Sequence, residues 1–389
     1  MKFDRDFDRH NEEVEKVWES FNNFKPIRMP VILGINNRMI LLDAKLNPQN
    51  YKFSEYFTDS LIMTEVSCEC QYQTRHNYYA DHEMGLPKDG WVVSVDRQNL
   101  HETGWLGAKV IHSDNNVPFG QPFLHDDNKA SILDKPFPGI FENIEERSFR
   151  IYNEMLDLQK KGYEYKGRPI KRVNYGTLYS DGGVTLACMM RGADNFCADL
   201  IEDPIYAKEL LDYITRASIY RIKELRKFFD LPELADGVSF ADDSIALLSH
   251  QMYVEQIFPH HKNLVSSLVE DFDTSVNSIH LCGDAQRHFK FIKENLRVFS
   301  FDTGYPIDFH KLTTELKEDI IKIHGGVKVD DLLLLSPLEV AKKTKEIMDI
   351  VMPNTDRFIM REANNLSPKT PAENVYAMYQ TVREHGWYK

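Results

Sequence analysis

The sequence predicts an α/β fold of repeated strand–helix units closed into a barrel, and three observations carry that expectation. From about residue 170 onward, short apolar runs rich in β-branched residues alternate with longer segments of helical period. No long linker separates one unit from the next. Five or six such units build either a doubly wound sheet or a closed barrel, and the lack of a G-x-G-x-x-G after the early strands favours the barrel.

Taken in order, residues 11–24 and 57–77 read as helices, 31–35 as a first barrel strand, and 91–95 as a strand of alternating sides in a small sheet over one mouth of the barrel. Turn-rich stretches at Gly85-Leu86-Pro87, Asn115-Asn116 and 136–139 set the first 140 residues apart as an elaboration over the C-terminal mouth. Residues 141–389 hold the main βα units, and 1–389 make one domain. Strands are expected at 172–178, 237–242, 278–282, 297–302, 319–323 and 357–361, and helices at 204–229, 251–270, 285–296, 309–318, 337–352 and 371–385. In the first of these helices Leu210, Leu211, Ile214, Ala217, Ile222, Leu225 and Phe229 share one side, while Lys208, Arg216, Lys223 and Arg226 take the other. Asp203-Pro204 and Ser336-Pro337 set a capping side chain before a proline at the first helical position, and Thr370-Pro371 with Glu373 does the same. No repeat of 20–50 residues indicates a solenoid or propeller.

Charge excludes some partners. Against 47 Lys and Arg stand 60 Asp and Glu, a formal net charge of −13 without a long basic run, so nucleic acid is not expected to bind. No stretch reaches the ~18 apolar residues of a membrane span, and MKFDRDFDRHNEE is neither a signal peptide nor a transit sequence, which points to a cytoplasmic protein. Five cysteines, Cys68, Cys70, Cys188, Cys197 and Cys282, make no disulfide scaffold and fit a reducing compartment.

Chemistry concentrates at the expected strand ends. In Ile279-His280-Leu281-Cys282-Gly283-Asp284, residues two apart point to one side, so the His280 imidazole and the Cys282 sulfur converge at the C-terminal mouth where barrel active sites form. A thiolate with an imidazole suits zinc; the plainer reading is a buried thiol beside a hydrogen-bonded histidine. Asp242 and Asp243, side by side after a strand, are candidates for orienting a ligand or for acid–base work, with a helix cap as the alternative. Asp302-Thr303-Gly304 and Gly325-Gly326-Val327 follow strands where backbone N–H groups could approach a ligand, or where the chain only turns tightly. Cys68-x-Cys70 is read as packing, and Pro259-His260-His261 as the exposed end of a helix.

From Val173 onward the chain resembles the uroporphyrinogen decarboxylase superfamily, and in particular its corrinoid methyltransferases. The matching pieces are Leu186 to Arg191-Gly192, Asp199-Leu200, Asp203-Pro204, Phe240-Ala241-Asp242-Asp243 with Leu248-Ser249, His280-Leu281-Cys282-Gly283-Asp284, Phe301 to Asp308, Gly325-Gly326-Val327 and Thr370-Pro371-x-Glu373-Asn374. Asp81-x-Glu83-Met84-Gly85-Leu86-Pro87 and Trp91 are similar to longer relatives in anaerobes. The resemblance implies a (β/α)8 TIM-type barrel and methyl transfer to or from a corrinoid (cobalamin) carried by a partner protein. It also implies zinc on H-x-C plus a later cysteine, but Asn364 stands at that later position, in Glu362-Ala363-Asn364-Asn365-Leu366. Asparagine is a poor zinc ligand, so Glu362, and otherwise Asp242, is expected to complete the set with His280 and Cys282. The departure turns the expectation from thiol methylation towards demethylation of a small O- or N-methylated compound such as a methyl ether, with Asp242, Asp243 and Asp302 as catalytic groups and Gly326 and Asn364 lining the pocket. Three alternatives are a decarboxylase (carboxy-lyase), whose arginine-rich opening motif is missing from the segment Arg28 to Arg38, a methylcobalamin:thiol methyltransferase, and a non-catalytic barrel.

Overall fold

Five parallel strands in sequence order form the centre of the molecule, each followed by a helix that packs back on the sheet. The computed structural model describes residues 6–176 and 178–388. Its strands are β1 (Trp91–Ser94), β2 (Lys109–Ile111), β3 (Phe119–Gln121), β4 (Glu164–Tyr165), β5 (Arg168–Asn174), β6 (Ser239–Ala241), β7 (Asn277–Leu281), β8 (Val298–Thr303), β9 (Lys322–Lys328) and β10 (Phe358–Ala363). The central sheet runs β10-β9-β8-β7-β6, all pairs parallel. Every residue of β10 is buried, as expected for a strand covered on both faces. Single parallel bridges extend the sheet at both edges, Val31 to Met360 and Ser180 to Phe240. Beyond Val31, the Asp81 N–H donates to the Val31 carbonyl at 2.7 Å and the Asp81 carboxylate accepts the Val31 N–H at 2.7 Å. The architecture is α/β, and one large hydrophobic core fills the space between the sheet and its helices.

The expected helices appear, close to their expected limits, as Pro204–Phe228, Phe258–Leu268, Phe289–Leu296, Phe309–Glu315, Pro337–Val351 and Ala372–His385. Asp203 and Ser336 cap theirs as the sequence implied. Ahead of Phe258 the chain takes a wide π turn, Tyr253–Ile257, where Pro259 supplies no backbone N–H to a regular helix. Strand 319–323 is displaced: Glu318 and Ile321 close a turn and β9 starts at Lys322.

Two expectations are corrected. The strand placed at 172–178 is instead β5, which ends at Asn174 and pairs with β1 and β4 in a separate sheet, while the central sheet is joined at Ser180. Residue 177 of that expected strand lies outside the described residues, as do residues 1–5 of the opening segment. The first 140 residues also do more than cover the C-terminal mouth. Helix Phe7–Asn22 lies at the opposite end, where the Arg357 guanidinium, just before β10, sits 3.8 Å over the Phe21 ring and donates to the Phe21 carbonyl. Helix Ser60–Asn77, β1, β5 and helix Ile144–Lys160 enclose a second hydrophobic cluster that includes both Cys68 and Cys70, which are packing residues. Segment 34–38 and the pair His101-Glu102 do reach the C-terminal strand ends, through Glu362 and Asp181 respectively. Among the described residues no helix is long and apolar enough to cross a membrane.

Candidate active site at the strand ends

Parallel register brings the polar groups together. His280 on β7 pairs with Asp302 on β8, and Asp302 with His324 on β9, so their side chains stand one strand spacing apart. The His280 Nδ1 lies 2.8 Å from Asp302 Oδ2, and Arg361 from β10 reaches both Asp302 oxygens through Nη1 at 2.8 Å. Burial pulls the imidazole towards its neutral form, but the hydrogen bond and charge of Asp302, with Asp243 beyond, outweigh it and hold His280 above its ordinary pKa. Burial pushes Asp302 up, and His280 and Arg361 more than reverse that, leaving it ionised. An ionised Asp302 accepts the Nδ1 proton, so the other ring nitrogen, Nε2, is the one turned towards Asp243, 3.9 Å from Oδ1.

The backbone N–H of Cys282 donates to the same Asp243 oxygen at 2.7 Å. One ligand atom each from Asp243, His280 and Cys282 lies within 4.8 Å of the other two. That gives O, N and S donors on one point, with a carboxylate behind the histidine, a combination suited to zinc. The thiol itself is pushed up to about 12 by burial, and Asp243's charge adds to this, so it needs a cation beside it to ionise. Cys282 and Asn364 open on a cavity of about 330 Å³, shared with Arg38, Tyr305 and Lys328.

The carboxylate at this point is therefore Asp243, and neither Glu362 nor Asp242. Glu362 is fully buried and held by the Gly34 N–H at 2.7 Å and by Arg361 Nη2 at 2.8 Å. Burial, opposed by Arg361, raises its carboxyl to about 7. Arg361 was missed as a functional residue although it closes an expected strand; it ties Asp302 to Glu362 and also donates to the Asn364 carbonyl.

The profile of the uroporphyrinogen decarboxylase (URO-D) family matches residues 179–385, more than half the chain. The chain belongs to that family. A methyltransferase from Methanosarcina mazei is similar in fold, with a TM-score of 0.61 and 16% identity over 95% of this chain and 98% of that one. A B12-independent methionine synthase from Shewanella sp. W3-18-1, in complex with selenomethionine, aligns at a TM-score of 0.33 and 11% identity, over 55% of this chain and 63% of that one, too weakly to carry an argument. No curated protein matches the sequence.

Asp242, Asp243, His280, Cys282, Asp302, Gly326, Glu362 and Asn364 all fall inside the part that matches the uroporphyrinogen decarboxylase family, whereas Arg38, His101 and Glu102 fall outside it. Not all of them face the cavity. Asp242 is fully buried, and its oxygens accept from the Val184 N–H (3.0 Å), the Thr185 N–H (2.7 Å) and the Thr185 hydroxyl (2.8 Å), with His261 Nε2 at 2.8 Å. It caps helix Gly183–Arg191 from a distant strand. The surface reading of Pro259-His260-His261 is corrected by the same contact: both histidines are buried, because the helix runs on through them and turns them inward. Gly326 serves strand packing, since a Cβ there would stand 2.2 Å from the Arg361 carbonyl oxygen; Gly304 does likewise, where a Cβ would stand 2.7 Å from Cys282 Cα.

Proposed function

We propose that this chain is a methyltransferase that moves a methyl group between a small O- or N-methylated compound, such as a methyl ether, and the cobalt of a separate corrinoid protein docked over the strand ends. The carrying observation is the convergence of Asp243, His280 and Cys282 beside the cavity, with Asp302 on the far nitrogen of the imidazole. The fold shared with the Methanosarcina mazei methyltransferase supports the reading. We take the seven parallel positions from Val31 to Ser180, with the segment at Asp81 beside Val31, as the eight staves of a TIM-type barrel whose active end is this one.

The residues present fit zinc: a carboxylate oxygen, an imidazole nitrogen whose partner nitrogen is already bound, and a sulfur. When bound there, zinc would supply a Lewis acid for the donor heteroatom. The protein's own part is positional. Asp302 and Arg361 hold His280 with Nε2 turned to Asp243, and the Cys282 N–H fixes Asp243. Arg38, Tyr305 and Asn364 wall the space a small donor would occupy.

The test is spectroscopic. Zinc-loaded protein is mixed with reduced cobalamin, or with a corrinoid protein, and a panel of methyl ethers and methylamines, and the change from cob(I)alamin to methylcobalamin is followed. Methylation from at least one donor, lost in Cys282→Ala, is expected. Loss of CO2 from uroporphyrinogen with no cobalt methylation would replace the reading with decarboxylation. Demethylation of methylcobalamin only on addition of a thiol would reverse the direction.

A further inference from the structure

A second polar cluster lies at the same end of the sheet and takes no part in the set around His280. Ser180 pairs with Phe240, and its carbonyl accepts the Ala241 N–H at 2.9 Å, so Asp181 stands level with Ala241, one residue short of Asp242, and two strands from Cys282. At about 4.8 Å per strand, their backbones are about 10 Å apart, across a distance that side chains and a small ligand can span. Behind Asp181, the Glu102 carboxylate is saturated: it accepts from the Asp181 N–H (2.7 Å), the Ser218 hydroxyl (2.7 Å) and Arg221 Nη2 (3.1 Å). Arg221 thus balances Glu102, and the charges of both Glu102 and Arg221 act on Asp181.

Asp181 is differently placed. Its Oδ2 is buried with no hydrogen-bond partner and lies 3.6 Å from His101 Nδ1. His101 is fully buried, and burial with the nearby Arg221 charge brings it down to about 3, so the ring is neutral. Of the three side chains only that of Asp181 is appreciably open, at 10% against 0% for His101 and 1% for Glu102. A second carboxylate charge here meets Glu102 alongside and Asp242 and Asp243 on the next strand, and is opposed by Arg221, which already serves Glu102. Burial first, then Glu102, raises the Asp181 carboxyl to about 7. A divalent cation is the poorer occupant of this cluster, because Arg221 already sits on Glu102.

We infer that Asp181 is the proton donor to the group that leaves when a methyl is taken up at this end of the sheet, with His101 and Glu102 as its positioning residues. This rests on the proposed methyl transfer and assigns the acid that Asp242, saturated by its own hydrogen bonds, cannot supply. Co(I) of the corrinoid gives its electron pair to the new Co–C bond, the C–O bond breaks with its pair going to oxygen, and the Asp181 proton passes to that oxygen, directly or through one water. Solvent at the open side of Asp181 returns the proton.

The test uses zinc-loaded full-length protein, reduced cobalamin and a series of aryl methyl ethers running from a nitrophenol, whose anion leaves unaided, to plain phenol. Asp181→Asn is expected to lose about 100-fold or more in kcat on the phenol ether, the usual size of an acid contribution, and to lose little on the nitrophenol ether. An equal loss across the series, or none, overturns the inference while leaving methyl transfer in place. Failure of wild-type protein to methylate cobalt from any ether overturns the transfer reading and this role with it. Infrared spectra read the proton without activity. At about pH 6 two protonated carboxyl bands are expected, one lost in Asp181→Asn and the other in Glu362→Gln. Wild-type protein without the first band overturns the inference even if the variant fails to fold.

Discussion

Two adjacent aspartates should respond to substitution in opposite ways. Asp242 is fully buried and engages two backbone N–H groups, a hydroxyl and His261. Asp242→Ala leaves those donors facing a cavity, at about 1–3 kcal/mol for each one water cannot reach, which comes to about 4 kcal/mol where two stay unpaired. Taking about 4 kcal/mol, and an unfolding entropy of about 0.8 kcal/mol/K for a chain of 389 residues, Tm should fall by about 5 °C. Asp243 has a side chain 34% exposed and accepts one backbone hydrogen bond, from Cys282 at 2.7 Å, so Asp243→Ala should cost about 1 kcal/mol or less. The ranking reverses for zinc. Asp243→Ala should weaken binding at least about 100-fold, more than loss of an outer hydrogen-bonding partner does, while folded Asp242→Ala should bind within about tenfold of wild type. Thermal melts and competition with a chromogenic chelator give both numbers. Equal losses of stability, or zinc binding indifferent to Asp243, would refute the assignment.

Zinc-replete wild-type protein should carry close to one zinc per chain, and Cys282→Ala should bring this well below half; an unchanged content by elemental analysis would exclude the site. Glu362, raised to about 7 in the fold against an ordinary value near 4.5, contributes stability that is fully present below about pH 4.5 and lost as pH rises through about 7. That rise sets an upper bound of roughly 3 kcal/mol on the loss, so Glu362→Gln should gain on wild type in denaturant midpoint between about pH 5 and pH 8. A constant difference between the two proteins would show that Glu362 is ionised throughout. Gly326→Ala, whose Cβ would meet the Arg361 carbonyl oxygen at 2.2 Å, should destabilise by about 1–3 kcal/mol; a neutral result would mean that β9 and β10 can part without strain.

What the sequence made legible is what it encodes within a few residues. The strand–helix alternation after residue 230, the caps at Asp203 and Ser336, and the convergence of His280 and Cys282 all follow from local period and spacing, and all stand in the structure. The failures at Asp242, His261 and Glu362 share a cause, a partner distant along the chain. Helix Gly183–Arg191 begins at two glycines with no capping side chain of its own, because its cap is Asp242, 57 residues from Thr185, so nothing local announces it. That bond and the contact of His261 with the other Asp242 oxygen remove Asp242 from the ligand set, and the latter turns His261 inward. Glu362 looked like a ligand because it stands two residues from Asn364, but its charge was claimed by Gly34, 328 residues away in sequence, and by Arg361 beside it. Asp243 could have been preferred from the pattern itself. In the parallel register Ala241 pairs with His280, which sets Asp243 level with Cys282 two residues on, whereas Glu362 belongs to β10, three strands from β7. Strand order, once the barrel is assumed, therefore ranks Asp242 and Asp243 above Glu362 without any coordinates, the register then selects Asp243, and the bridge from Ser180 to Phe240 sets Asp181 level with Ala241.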